Sequence, residues 1–283
     1  MKLTNPGAEI YVPDGLPVEQ ALERTTQMGI SAHQDDLEIM SFQGILQCFG
    51  SDANWYTGVI VTNGAGSPRD DLYGKYTDDQ MCDVRKLEQK KAAFVGEYAA
   101  QALLDYGSSA VKDASNPDLV DELKRLIEAA TPEIIHTHNL ADKHDTHVAV
   151  TIRVIEALRK VDPDARPKRV YGCEVWRGLD WMNDDDKVIF DVDAHENIAA
   201  ALLGVFDSQI CGGKRYDLAT LGRRRSYATY FASHGTDSTG QLAFAMDLTP
   251  LMNNPLLDIK DYVNSYIQRF ADDVSSRVGK LQL

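Results

Sequence analysis

The chain has 283 residues, 43% of them hydrophobic and 25% charged, the composition of an ordinary globular protein with a packed core. Its 43 acidic against 29 basic residues give a formal charge of -14, a field that repels phosphate backbones and anionic lipid and argues against nucleic-acid or membrane partners. No run approaches the roughly 18 apolar residues of a membrane span, residues 1–18 lack the basic-then-apolar order of a signal peptide, and Cys48, Cys82, Cys173 and Cys211 stand singly, as reduced thiols of a cytoplasmic protein do.

In chain order, short apolar runs predict strands at Thr26–Ala32, Gly58–Thr62, Ile134–Thr137, Val170–Val175 and Val188–Val192. A long helix is expected from about Thr77 to Asp105, with Met81, Val84, Leu87, Phe94 and Tyr98 on its inner face. Further helices are expected at Asp118–Ala130, Thr146–Arg159, Glu196–Ile210, Tyr216–Ser233 and Asp258–Val278. In the second of these, Val148, Ile152, Ile155 and Leu158 form the stripe toward the sheet. Pro132 and Pro163 stand where helical patterns stop. The alternation predicts an α/β fold with a mostly parallel sheet, and the absence of a linker or repeat predicts one domain over residues 1–283.

Two polar clusters follow predicted strands. The first is His33-Gln34-Asp35-Asp36-Leu37-Glu38, directly after Thr26–Ala32. The second packs His136, His138, Asp142, His144, Asp145 and His147 into twelve positions, with four of the chain's seven histidines. The carboxyl ends of sheet strands are where open α/β folds place ligands. His33 and Asp36 with one histidine of the second cluster would supply two imidazoles and a carboxylate, a set that holds a catalytic zinc with one position open. Fe(II), Co(II) and Mn(II) suit the same donors. Asp35, beside the ligands, is the candidate base. Singly, the first cluster also fits a polar cap where a strand meets a helix, and His144 and His147 also fit a pair of surface histidines at the start of a helix; together, both after strands, they point to one metal site.

The order of motifs resembles the PIG-L/LmbE-like family of zinc-dependent N-acetylglucosamine deacetylases. Its A-H-P-D-D-x-E motif is similar to Ala32-His33-Gln34-Asp35-Asp36-Leu37-Glu38, and its H-x-D-H motif to His144-Asp145-Thr146-His147. Thr62-Asn63-Gly64, Arg85-Lys86-Leu87-Glu88 and, more weakly, Asp207-Ser208-Gln209 resemble its T-[ND]-G, R-x-x-E and S-Q elements. The resemblance implies a Rossmann-like three-layer sandwich. It further implies that His33, Asp36 and His147 bind the metal, that Asp35 is the general base, that His144 steadies the tetrahedral intermediate and protonates the departing amine, and that Arg85 holds a polar group of the substrate. Gln34 replaces the family's proline, and Thr146 an aspartate whose part Asp145 or Asp142 could take.

The expected substrate is a small amide, an N-acetylated sugar or sugar conjugate. A non-sugar or thiol-sugar amide and a non-catalytic metal-binding carbohydrate-recognition protein are the alternatives. An NAD oxidoreductase is excluded, because no G-x-G-x-x-G opens a helix after the first strand. Trp55, Tyr73, Trp176, Arg177 and Trp181 sit in expected loops, where packing is the plainer role. Arg223-Arg224-Arg225 is expected to form a solvated or salt-bridged helix face, and His195 and His234 lie outside the site. A homo-oligomer is compatible with the sequence.

Overall fold

A computed structural model describes residues 1–282. Its strands are β1 (Glu9–Tyr11), β2 (Gln27–Ser31), β3 (Tyr56–Thr62), β4 (Ala100–Tyr106), β5 (Ile134–His138), β6 (Arg169–Cys173), β7 (Val188–Asp191) and β8 (Leu242–Asp247). The helices are α1 (Val18–Glu23), α2 (Asp36–Met40), α3 (Phe42–Cys48), α4 (Asp78–Val95), α5 (Ser108–Lys112), α6 (Asp118–Ala130), α7 (Asp145–Lys160), α8 (Glu196–Gly204), α9 (Asp207–Ile210), α10 (Tyr216–Tyr230), α11 (Thr249–Asn253) and α12 (Ile259–Leu281).

The strands form one sheet in the order β1-β4-β3-β2-β5-β6-β8-β7. The five central strands are parallel, while β1, β8 and β7 run antiparallel to their neighbours. Helices cover both sides, giving the expected three-layer α/β architecture: α1, α5, α6, α7 and α11 group together, and α4, α8, α9 and α10 pack with one another. Every residue of β2 and β3 is buried, including Gln27, Ser31, Thr57 and Thr62, since a central parallel strand is covered on both faces. From β2 the chain winds one way to β3 and β4, then returns to β2's other side to place β5 and β6. The reversal opens a crevice between the carboxyl ends of β2 and β5, where such folds bind ligands.

The expected helix from Thr77 to Asp105 is two elements. Its start is fixed by a capping box between Thr77 and Gln80. Its end comes at Gly96, where the Gly96 and Tyr98 amides return to the Ala92 and Ala93 carbonyls and Glu97 takes a positive φ of 55°. The chain then enters β4. The inner face also differs from the expected stripe. Leu87 and Phe94 are 70% and 57% exposed, while Met81, Arg85, Glu88, Gln89, Ala92 and Ala93 are buried. On α7 the buried set is likewise rotated: Val148 and Ile152 are only partly covered, whereas His147, Val150, Thr151 and Val154 are buried with Ile155 and Leu158. The expected helix Glu196–Ile210 breaks between α8 and α9. Among the described residues no helix is long and apolar enough to cross a membrane, and all four cysteines are free.

Candidate active site

Strand β2 runs directly into the loop of His33, Gln34 and Asp35, with Asp36 as first residue of α2. Strand β5 leads through Asp142 to His144, which precedes α7, and His147 lies in the first turn of α7. Because β2 and β5 are neighbours, the two sequence clusters converge. His33 Nδ1 lies 3.2 Å from Asp36 Oδ2 and 3.1 Å from His147 Nε2, and those two atoms are 3.4 Å apart. Tetrahedral zinc with bonds of about 2.0–2.2 Å separates its ligands by about 3.3 Å, so this donor set fits one ion.

His138 is equally close, its Nε2 3.6 Å from Asp36 Oδ2. That nitrogen, however, accepts the Ala32 amide at 2.9 Å, which occupies its lone pair and leaves it a packing partner stacked on the His147 ring at 3.9 Å. Behind His147, Nδ1 faces Asp142 Oδ2 at 3.7 Å. Asp142 is itself held by the amides of His144 and Trp176. Of the two carboxylates that could take the part of the family's aspartate, Asp142 faces His147 and Asp145 is exposed. A carboxylate behind a ligating imidazole fixes its ring and tautomer.

Asp35 and Asp36 are adjacent, both buried, and driven in opposite directions. Burial pushes Asp35 up to about 7 against the lowering influence of Arg85, and the charges of Asp36 and Glu38 add to the rise. Burial opposes ionisation of Asp36 as well, but His147, His138 and His33 outweigh it and hold the carboxyl well below its ordinary range. Two titratable groups pushed apart in this way suit one as charged ligand and the other as proton carrier. Asp35 also has a φ of 89°, a conformation that costs a non-glycine residue of order 1–3 kcal/mol and tends to occur at functional sites.

Arg85, 1% exposed, braces this turn from α4. Its Nη2 donates to Asp35 Oδ2 at 3.1 Å and to the Gln34 carbonyl; its Nη1 faces Glu88 at 3.2 Å and Ser208 Oγ at 3.5 Å. Glu88 in turn accepts from the Ser208 amide and hydroxyl at 2.7 and 2.8 Å. The segments 85–88 and 207–209 thus form one bracket around Asp35. Gly64 completes it: its φ of 78° turns the β3 loop over the site, and a Cβ there would meet Gln34 Oε1 at 2.8 Å and Arg85 Cγ at 3.0 Å. Gln34 is buried and donates to the Thr62 carbonyl at 3.2 Å, anchoring the turn where the family motif has proline.

His33, Asp35, Asp36, Arg85 and His144 all line one cleft of about 370 Å³. His144 is half-buried, with its Nδ1 unpartnered. Burial and the neighbouring His147 and His33 lower its pKa. The opposite wall, from Trp176, Tyr216 and Arg223, is not singled out as a site by sequence. Trp176 and Tyr216 meet edge to face at 5.7 Å. Trp55 instead lies under Arg24, Trp181 packs toward the core beside Phe270, and Tyr73 bonds Asp207. Nor is the arginine run a solvated face. Arg224 is buried and donates to the Glu38 and Ile39 carbonyls, Arg223 donates to the Val175 carbonyl at the cleft, and only Arg225 pairs at the surface, with Glu196. His195 contacts Phe49 and His234 is exposed.

Residues 28–158 match the family model "PIG-L: GlcNAc-PI de-N-acetylase". No curated protein matches the chain. Among solved structures, the conserved protein TT1542 from Thermus thermophilus superimposes with a TM-score of 0.63 at 14% identity, over 83% of this chain and 99% of the other. The N,N'-diacetylchitobiose deacetylase from Pyrococcus horikoshii gives 0.63 at 13% identity, over 84% and 88%. GalB, the 4-carboxy-2-hydroxymuconate hydratase from Pseudomonas putida KT2440, gives 0.61 at 16% identity, over 79% and 96%. These likenesses establish a shared fold, and the third belongs to an enzyme of a different reaction class.

Proposed function

We propose, from the chain's membership of the PIG-L family through residues 28–158, that it is a metal-dependent hydrolase removing the N-acetyl group from an N-acetylglucosamine-type sugar or sugar conjugate. The observation that carries this reading is the convergence of His33, Asp36 and His147 within 3.1–3.4 Å beside the separately tuned Asp35. The chemistry that zinc, or Fe(II), Co(II) or Mn(II), supplies when bound by those three residues is polarisation of the acyl carbonyl and acidification of water.

Asp35 takes the proton of the attacking water, a task for which a carboxyl titrating near 7 is matched to neutral pH. Arg85, buried at the border of the cleft, holds that carboxylate in place through Nη2 and sets a positive charge behind the polar group of the substrate that it would favour. His144, whose ring lies 5.0 Å from that of His33 and 4.5 Å from that of His147, delivers a proton to the departing nitrogen. Its lowered pKa makes the protonated ring the stronger acid. Trp176 and Tyr216 offer aromatic surface to a sugar ring, which favours a sugar over a simple aliphatic amide. Acetate and a free amino sugar leave.

The test is elemental analysis of the purified protein together with amine release from N-acetylglucosamine and a panel of other N-acyl compounds. Near one metal per chain, with activity removed by chelation and restored by zinc, supports the reading. Metal without turnover of any sugar moves the substrate to a thiol-sugar or non-sugar amide, or makes the protein a recognition module. Absence of metal overturns it.

A further inference from the structure

The last helix carries a feature that the cleft does not explain. From Ile267 to Leu281 every residue of α12 except Asp273 is exposed. This stretch is about 21 Å long at 1.5 Å per residue. Its last anchors to the body are Arg269, which pairs with Asp186 and whose carbonyl accepts from Asn183, and Phe270, edge to face with Trp181. Yet its apolar residues are not scattered. Ile267, Phe270, Val274, Val278 and Leu281, between 39% and 88% exposed, follow one another at steps of three or four, so with Ala271 they occupy an arc of about 100°. A helical segment of about 15 residues is marginal alone in water, and a contiguous apolar stripe on it marks an interaction surface.

The charges beside the stripe indicate what covers it. Asp273 and Arg277 line one flank, paired with each other at 2.7 Å, while Gln268 and Ser275 line the other. We propose that this stripe is the interface between two copies of the chain, their α12 helices antiparallel about Ser275. In that register, residue numbers facing one another sum to 550. Asp273 of each helix then stands level with Arg277 of its partner, and Val274 and Val278 interleave with the opposite stripe. A parallel pair would set the charged flank against the uncharged one and gain no such match. The helix is a poor membrane anchor: from Ile267 onward, of its three basic residues Arg269 pairs with Asp186 and Arg277 with Asp273, which leaves Lys280 and no cationic face of the kind that binds anionic lipid.

Sedimentation velocity of the whole protein between about 1 and 100 µM tests this. A dimer is expected, with its dissociation constant raised at least about tenfold by Val274→Glu, since that change buries an unpaired carboxylate in the interface. Because residue 274 is exposed in one copy, circular dichroism of the variant stays that of the native protein. Orientation is read separately with a short bismaleimide, because residue 275 lies on the flank of the stripe, too far from its counterpart for a disulfide: Ser275→Cys links two copies, whereas Ser276→Cys, on the far face of the helix, does not. A monomer at 100 µM, an oligomer insensitive to Val274→Glu, equal cross-linking at both positions, or binding of monomers to phosphatidylserine vesicles each overturns the proposal.

Discussion

Helices α6 and α4 make an instructive pair. α6 buries Leu119, Val120, Leu123, Leu126 and Ile127, the residues a periodic pattern picks out, with Glu122, which accepts the Thr4 amide, as its one buried charged residue, and its span matches the sequence expectation residue for residue. α4 buries Arg85, Glu88 and Gln89 and turns Leu87 and Phe94 to solvent. The difference lies in what each helix faces. α6 covers apolar core, whereas α4 braces the turn that carries Asp35, and a brace for a buried carboxyl must be polar. Local rules fail where a functional site overrides them.

If this division holds, substitutions should separate activity from stability. The largest effect is expected at the residue α4 supports: Asp35→Asn should lower kcat by about 10²–10⁴-fold, the range for loss of a general base. The wild-type rate should fall toward acid pH, because the base works only as the carboxylate, with a midpoint below the value of about 7 that Asp35 has without metal, since the bound cation favours the ionised form. Stability runs the other way. Since the folded-state pKa is raised, the native protein binds the extra proton, and that contribution is lost as pH rises through about 7. Metal-free Asp35→Asn should therefore melt higher than metal-free wild type at pH 8 and by a smaller margin at pH 5, the margin closing only below the unfolded-state value of 3.8, which thermal scans across this range check.

On the apolar helix, Leu123→Ala should cost about 2–5 kcal/mol in denaturant unfolding while leaving kcat per folded molecule intact. A loss of catalysis without a loss of stability would break the contrast. Arg85→Gln should fall between the two classes, with activity down about 10- to 100-fold, the scale seen when a supporting partner is removed, and stability also reduced because Glu88 loses its cation. The smallest effect is expected at Leu87→Lys, an apolar residue on the helix's outer face, where unfolding free energy should move by no more than about 0.5 kcal/mol.

What is legible in the chain follows the same line. β3 reads correctly because a buried parallel strand is a near-continuous apolar run, and β2 and β5 read from Met28, Ile30, Ile134 and Ile135 although Gln27, Ser31, His136, Thr137 and His138 interrupt them. β4 reads as helix because Ala99-Ala100-Gln101-Ala102-Leu103-Leu104 has helical propensity, and only burial on both faces makes it a strand. The two polar clusters are visible because each is contiguous. The wall of Trp176, Tyr216 and Arg223 is not, since nothing local connects a loop after β6 with α10. Arg224 misleads for a related reason: its cation is buried by carbonyls at the end of α2, acceptors that carry no side-chain signature.

The antiparallel insertion of β8 between β6 and β7 has a consequence for the newly made chain. β7 pairs with no strand but β8, so Val188–Asp191 must wait about fifty residues of synthesis before its partner emerges, and meanwhile β6 presents an open edge of the kind that invites aggregation. The helix carrying Tyr216 and Arg223 lies within that delay. A nascent chain can thus bring the donors of both clusters together while the half of the cleft facing them is still unbuilt, and the refolding rate should be limited by this late, non-local pairing.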